Sequence, residues 1–89
     1  MTYYFELSQE LESTLSKLGK KDRTLALAVR KKIGQIISCD EAGIRHYKNL
    51  SCPLSGLKSV HVGSFVLLFR VKGETVYFER LAQHDQAYD

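Results

Sequence analysis

The chain has 89 residues, 44% of them hydrophobic and 26% charged, with a formal net charge of +3. That size makes a single domain over residues 1–89, whose one core must use every apolar face available. The ordinary balance of apolar and charged residues excludes a disordered chain, and no apolar run approaches the ~18–20 residues needed to span a bilayer.

The charge is unevenly placed. Lys17, Lys20, Lys21, Arg23, Arg30, Lys31 and Lys32 stand against Asp22 alone, and residues 44–72 carry Arg45, Lys48, Lys58, Arg70 and Lys72 with no carboxylate. Such separation favours a polyanionic partner or an acidic protein partner, the alternative for the first cluster being a solvated helix face. Cys39 and Cys52 have neither CxxC spacing nor a nearby histidine quartet, which argues against zinc. No charged segment followed by an apolar one opens the chain. The expected setting is therefore the cytoplasm, with reduced thiols, although a Cys39–Cys52 bridge stays open.

Thr2–Leu7 is rich in β-formers and reads as an opening strand, with Tyr3, Phe5 and Leu7 on one face and Tyr4 and Glu6 on the other. Ser8 is a natural helix N-cap, and Glu10 and Glu12 follow where a helix N-terminus welcomes negative charge. Leu7, Leu11, Leu15 and Leu18 form its stripe, and Gly19 suits its C-terminal cap. Asp22 caps a second, longer helix with the stripe Leu25, Val29, Ile33, Ile36 and Ile37. Gly34 is costly in that helix by about 1 kcal/mol relative to alanine, which suggests a close approach between the two helices. Asp40–Gly43 ends it.

Residues 44–56 are the hardest to read: Ile44, Tyr47 and Leu50 form either a short helical turn or a loop tucking apolar groups under the sheet. Pro53 and Gly56 punctuate it. Leu57–Val62 is then a strand, Gly63-Ser64 a two-residue loop suited to a type II′ hairpin, and Phe65–Val71 a second strand. Phe65, Leu67, Phe69 and Val71 share one face of it and Val66, Leu68 and Arg70 the other, so apolar groups on both sides mark it as central. Lys72-Gly73 is the next turn and Thr75–Leu81 the last strand. The order β-α-α-β-β-β predicts an α+β fold: an antiparallel sheet of about four strands with a two-helix hairpin packed on one face. The opening strand joins the sheet edge, because alone it cannot satisfy its backbone groups. The face left open, with its basic and polar residues, is where function is expected.

In KNL (Lys48–Leu50), SGLKSVHVGSFVLLFRV (Ser55–Val71) and VYFERLAQHDQAY (Val76–Tyr88), and in element order over essentially its whole length, the chain resembles the RelE/ParE superfamily of toxins. Within it, the chain is most similar to the RelE-type ribosome-dependent mRNA interferases of toxin–antitoxin systems. The resemblance places His84 where such toxins have arginine or histidine, and Tyr88 at their closing tyrosine. It places Lys58 and His61 on a strand that carries basic residues, and Lys48 at the lysine of the preceding loop. Where the family commonly has a strand arginine, this chain has Val66, leaving Arg70 or Arg80 to compensate.

The activity so implied needs no metal or cofactor. The 2′-hydroxyl of a nucleotide attacks its own phosphate, leaving a 2′,3′-cyclic phosphate and a free 5′-hydroxyl. A base takes the 2′ proton, cations stabilise the charge on phosphate, and an acid protonates the leaving oxygen. An imidazole, titrating near about 6.5, suits either proton role. The resemblance thus assigns His84 and His61 to acid–base work and Tyr88 to stacking or hydrogen bonding. Lys48, Lys58, Arg70 and Arg80 become phosphate clamps. The plain alternatives are a surface role for His84 and His61, a packing role for Tyr88, and an ion pair between Arg70 and Glu79. The implied partners are a RelB-like antitoxin, the ribosome and mRNA. The rival readings are a ParE-like binding toxin that inhibits gyrase and a degenerate toxin that only binds its antitoxin.

Overall fold

The computed structural model describes residues 3–45, 47–49 and 57–83. Its elements are β1 (Tyr4–Leu7), α1 (Gln9–Lys21), α2 (Arg23–Ile37), α3 (Glu41–Arg45), β2 (Lys48–Asn49), β3 (Leu57–Val62), β4 (Phe65–Lys72) and β5 (Thr75–Gln83). The expected order is present, with two short additions, α3 and β2, in the stretch that was hardest to read.

Both helix starts are set by side chains reaching over one turn. The Ser8 hydroxyl accepts from the Leu11 N–H at 3.0 Å and donates to the Glu79 carbonyl, tying the head of α1 to β5. Asp22 Oδ1 accepts from the Leu25 N–H at 3.1 Å, while the Asp22 N–H closes α1 on the Leu18 carbonyl. One aspartate therefore ends one helix and begins the next, and α1 runs two residues past Gly19, which does not cap it. Gly34 also departs from expectation, since a Cβ built there meets nothing within 4 Å and no close helix approach depends on it. Asp40 does more than follow α2. Its Oδ1 accepts from the Gly43 N–H at 2.7 Å, starting the turn that buries Ile44.

Leu11, Leu15, Val29, Ile33, Ile36 and Ile44 pack from the helices onto Val62, Leu67, Phe69, Val76 and Phe78 of the sheet. The alternation expected of β4 holds: Leu67 and Phe69 enter this core, while Val66 and Leu68 join Leu57 and Ala82 in a smaller cluster on the opposite face. Tyr3 and Leu7 pack against the main core as expected. Phe5 is half exposed and meets Phe78 edge-on, with ring centroids 6.3 Å apart.

Among the described residues the sheet has five strands in the order β1-β5-β4-β3-β2, with β4 at the centre. It is mixed and not wholly antiparallel, because β1 runs parallel to β5. Hairpins force antiparallel pairing from β3 to β5. The β1–β5 pair is joined through all the rest of the chain, which leaves its direction free to follow the helical crossover. In the first hairpin Val62 pairs with Phe65, Gly63 has φ 61°, and no described non-glycine residue has positive φ, as a type II′ turn at Gly63-Ser64 requires. The second hairpin repeats this one residue later than expected. Lys72 pairs with Thr75, and Gly73 (φ 59°) and Glu74 make the loop.

Candidate nucleic-acid interface

Cross-strand partners share a face, so the register sorts the candidate residues. Leu57 pairs with Arg70, His61 with Val66, Leu68 with Arg80, and Arg70 with Tyr77. His61, Arg70 and Arg80 thus belong to the face opposite the helices, around the small cluster of Leu57, Val66, Leu68 and Ala82. Lys58 pairs with Phe69 and belongs to the helix side, where its Nζ lies 3.5 Å from the Tyr47 carbonyl oxygen. Lys48 stands in β2, its backbone paired with Ser59. His84 and Tyr88 lie outside the described residues, as do His46 and Cys52. The last described residue, Gln83, pairs with Phe65, at the end of the sheet that also holds His61.

His61 and Arg70 mark opposite ends of the open face. Their partners on β4, Val66 and Arg70 itself, are separated by four residues, or about 13 Å at ~3.3 Å per residue. The two do not reach one phosphate together.

Each arginine has a carboxylate beside it. Arg70 Nε is 3.7 Å from Glu79 Oε2, the ion pair weighed from sequence as the alternative to a phosphate clamp. A register irregularity produces it: Leu68 pairs with Arg80 and Phe69 with Phe78, so Glu79 is an extra residue in a bulge and its side chain reaches the face of Arg70. Arg80 Nε is 3.8 Å from Glu10 Oε2, past the end of β1, a contact no sequence signal disclosed. Both pairs are 38% exposed or more, and such pairs contribute only about 0–1 kcal/mol, so a phosphate can displace either carboxylate.

Tyr47 braces the chain just before β2. Its ring meets Phe69 edge-on at 5.6 Å. Burial pushes its phenol above the ordinary 10.0, and the neighbouring Cys39 adds to the rise through its charge and as a hydrogen-bond partner. Cys39 is a free thiol, with Sγ 3.3 Å from the Gln35 carbonyl oxygen.

Sequence reasoning missed one feature outright. A groove of about 320 Å³ opens between α2 and the β3–β4 turn, and its lining includes Lys31, Lys32, Gln35 and His61. The lysines were visible as a charge cluster, but their approach to His61 depends on how α2 crosses the sheet. Among the described residues, no group of three or more His, Cys, Asp or Glu is placed to hold a metal ion, and no helix is long and apolar enough to cross a membrane.

Searched against protein families, the chain matches no family model. It is 38% identical to RelE4 of Methanocaldococcus jannaschii, a protein named as a toxin, over 97% of this chain and 90% of that one. Among solved structures, it is similar to the RelBE2 toxin–antitoxin complex of Mycobacterium tuberculosis, with a TM-score of 0.71 and 26% identity over 94% of this chain and 100% of that one. The YoeB/ParE toxin of Agrobacterium tumefaciens shares the fold, with a TM-score of 0.77 at 13% identity over 91% and 98% of the two chains.

Proposed function

Because this chain belongs to the RelE family of toxins from toxin–antitoxin systems, we propose that it is a ribosome-dependent endoribonuclease that cuts mRNA in the ribosomal A site. The observation that carries this reading is relatedness along nearly the whole chain, at 38% identity over 97% of its length. The open face supports it, since His61, Arg70 and Arg80 belong to one side of the sheet.

In this reading the 2′-hydroxyl attacks the adjacent phosphorus, the bond to the 5′-oxygen breaks, and a cyclic phosphate remains. His84 and His61 exchange the two protons, one accepting from the 2′-hydroxyl and one donating to the departing 5′-oxygen. Arg80 turns from Glu10 to the scissile phosphate, Arg70 turns from Glu79 to a neighbouring phosphate of the strand, and Lys48 adds charge at the rim, whereas Lys58 lies on the helix side, away from the strand. Tyr88 stacks on a base. A RelB-like antitoxin, the partner chemistry named in the RelBE2 complex, neutralises the toxin by laying acidic and apolar groups along this basic surface. Action on translated mRNA puts the protein in the cytoplasm.

The test maps cuts on an mRNA with and without translating ribosomes, using the full chain and His84→Ala. Ribosome-dependent cuts that fall about 10²–10⁴-fold in the variant support the reading. Cleavage unchanged in His84→Ala removes His84 from the mechanism.

A second reading, a ParE-like gyrase inhibitor that cuts nothing, is favoured by one observation. Val66, at the position of the usual strand arginine, is fully buried. Inhibited supercoiling with intact mRNA would establish it. No growth arrest on expression would indicate a toxin that only binds its antitoxin.

A further inference from the structure

We propose that the groove between α2 and the β3–β4 turn is a second RNA contact, which holds the phosphodiester backbone where the strand passes over the edge of β3 beside His61. Lys31, Lys32 and His61 supply its basic groups and Gln35 an amide, and none of the residues lining it is acidic. Its apolar side chains are Ala28 and Val62, both small, and they do not make a row of pockets. A docked amphipathic peptide helix needs a row of apolar pockets, whereas a phosphate backbone needs cations and room. The groove offers cations and room.

Topology connects this groove to the open face. Among the described residues β2 pairs with β3 at Ser59 and Lys58, and His61 lies further along β3 toward the β3–β4 turn. His61 faces Val66 in the register and also lines the groove, and so stands where the open face turns over the sheet edge toward α2. Lys31 and Lys32 lie beyond it. A strand that crosses the open face and continues past His61 meets no carboxylate among the described residues that line the groove.

The proposal rests on the nuclease reading only in taking RNA as the polymer that reaches the protein. Its test reads binding and not cleavage. The full chain and Lys31→Ala/Lys32→Ala are titrated with a fluorescein-labelled, fully 2′-O-methylated RNA hairpin, which cannot undergo 2′-hydroxyl attack, across a range of salt concentrations. Lys17→Ala/Lys20→Ala, which removes the same charge from α1, is the control. The groove variant is expected to bind about tenfold more weakly at low salt. Its plot of log affinity against log salt should flatten by about 1.4–1.8, the loss of two phosphate contacts, with the control much closer to the parent. Equal weakening in both variants would overturn the proposal by showing general charge attraction alone. Unchanged RNA binding together with a weakened grip on an acidic antitoxin peptide would also overturn it, making the groove a protein contact. If the intact chain binds the hairpin as expected but cuts no mRNA, the nuclease reading fails and the groove stands.

Discussion

Val66 sits fully buried beside Leu57, Leu68 and Ala82, so the position that the resemblance assigns to an arginine belongs here to a packed apolar patch. A guanidinium there would displace that packing and lose its water, a penalty of several kcal/mol for an unpaired ion. In the proposed nuclease, the charge that steadies the phosphates would therefore come from Arg70 and Arg80 along the same face. Tyr47 is the other residue whose surroundings decide its behaviour. Burial, reinforced by Cys39, raises its phenol above the ordinary 10.0, so the folded protein holds that proton more tightly than the unfolded chain. Its contribution to stability is thus full below the unfolded value and is lost as pH climbs through the higher folded value. Thermal unfolding followed from about pH 8 to about pH 11 should show the parent losing stability at the alkaline end more steeply than Tyr47→Phe, which keeps the ring against Phe69 but has no phenol to ionise. Parallel curves would mean that Tyr47 ionises alike in both states.

Helix α2 carries an avoidable weakness at Gly34, within its Arg23–Ile37 span. A Cβ there meets nothing within 4 Å, so Gly34→Ala should gain about 0.5–1 kcal/mol by restricting the unfolded chain, seen as a higher urea midpoint at constant slope. Gly63→Ala should do the reverse, because φ 61° at the β3–β4 turn suits glycine alone. A Gly34→Ala variant less stable than the parent would mean that the added methyl is not accommodated within the folded chain. Elements such as these were legible wherever the determining contact is local. Ser8 and Asp22 announce helix starts because each side chain reaches a backbone N–H three residues on, and Gly63-Ser64 announces its turn because the φ requirement lies within the loop. The alternation along β4 was equally readable from the pleat. The direction of β1, the short pairing of β2 and the bulge at Glu79 were not, since each is decided by chain distant in sequence. The same limit governed the site. The basic residues could be named, but register alone puts Lys58 on the helix side and Arg70 opposite, and only the packing of α2 brings Lys31 and Lys32 to His61.

Across the whole molecule the sheet divides labour between its faces. The helix side buries Phe69 and Phe78 in the main core, which leaves the opposite side free to hold charge around a patch of four small or medium apolar residues. On that side Glu79 is the carboxylate paired with Arg70, brought there by the bulge. With both side chains more than a third exposed, the pair adds only about 0–1 kcal/mol to folding, so its larger effect is on what the face attracts. With glutamine in its place, Arg70 is released and a negative charge that repels phosphate disappears. Glu79→Gln should accordingly bind the 2′-O-methylated hairpin several-fold more tightly. Its salt dependence should steepen by about 0.7–0.9, one additional phosphate contact, while its urea midpoint stays close to that of the parent. Arg70→Ala should move affinity and slope the other way. If Glu79→Gln leaves RNA binding unchanged and lowers stability by more than about 2 kcal/mol, the pair is a structural tie and the open face does not use Arg70 as a phosphate clamp.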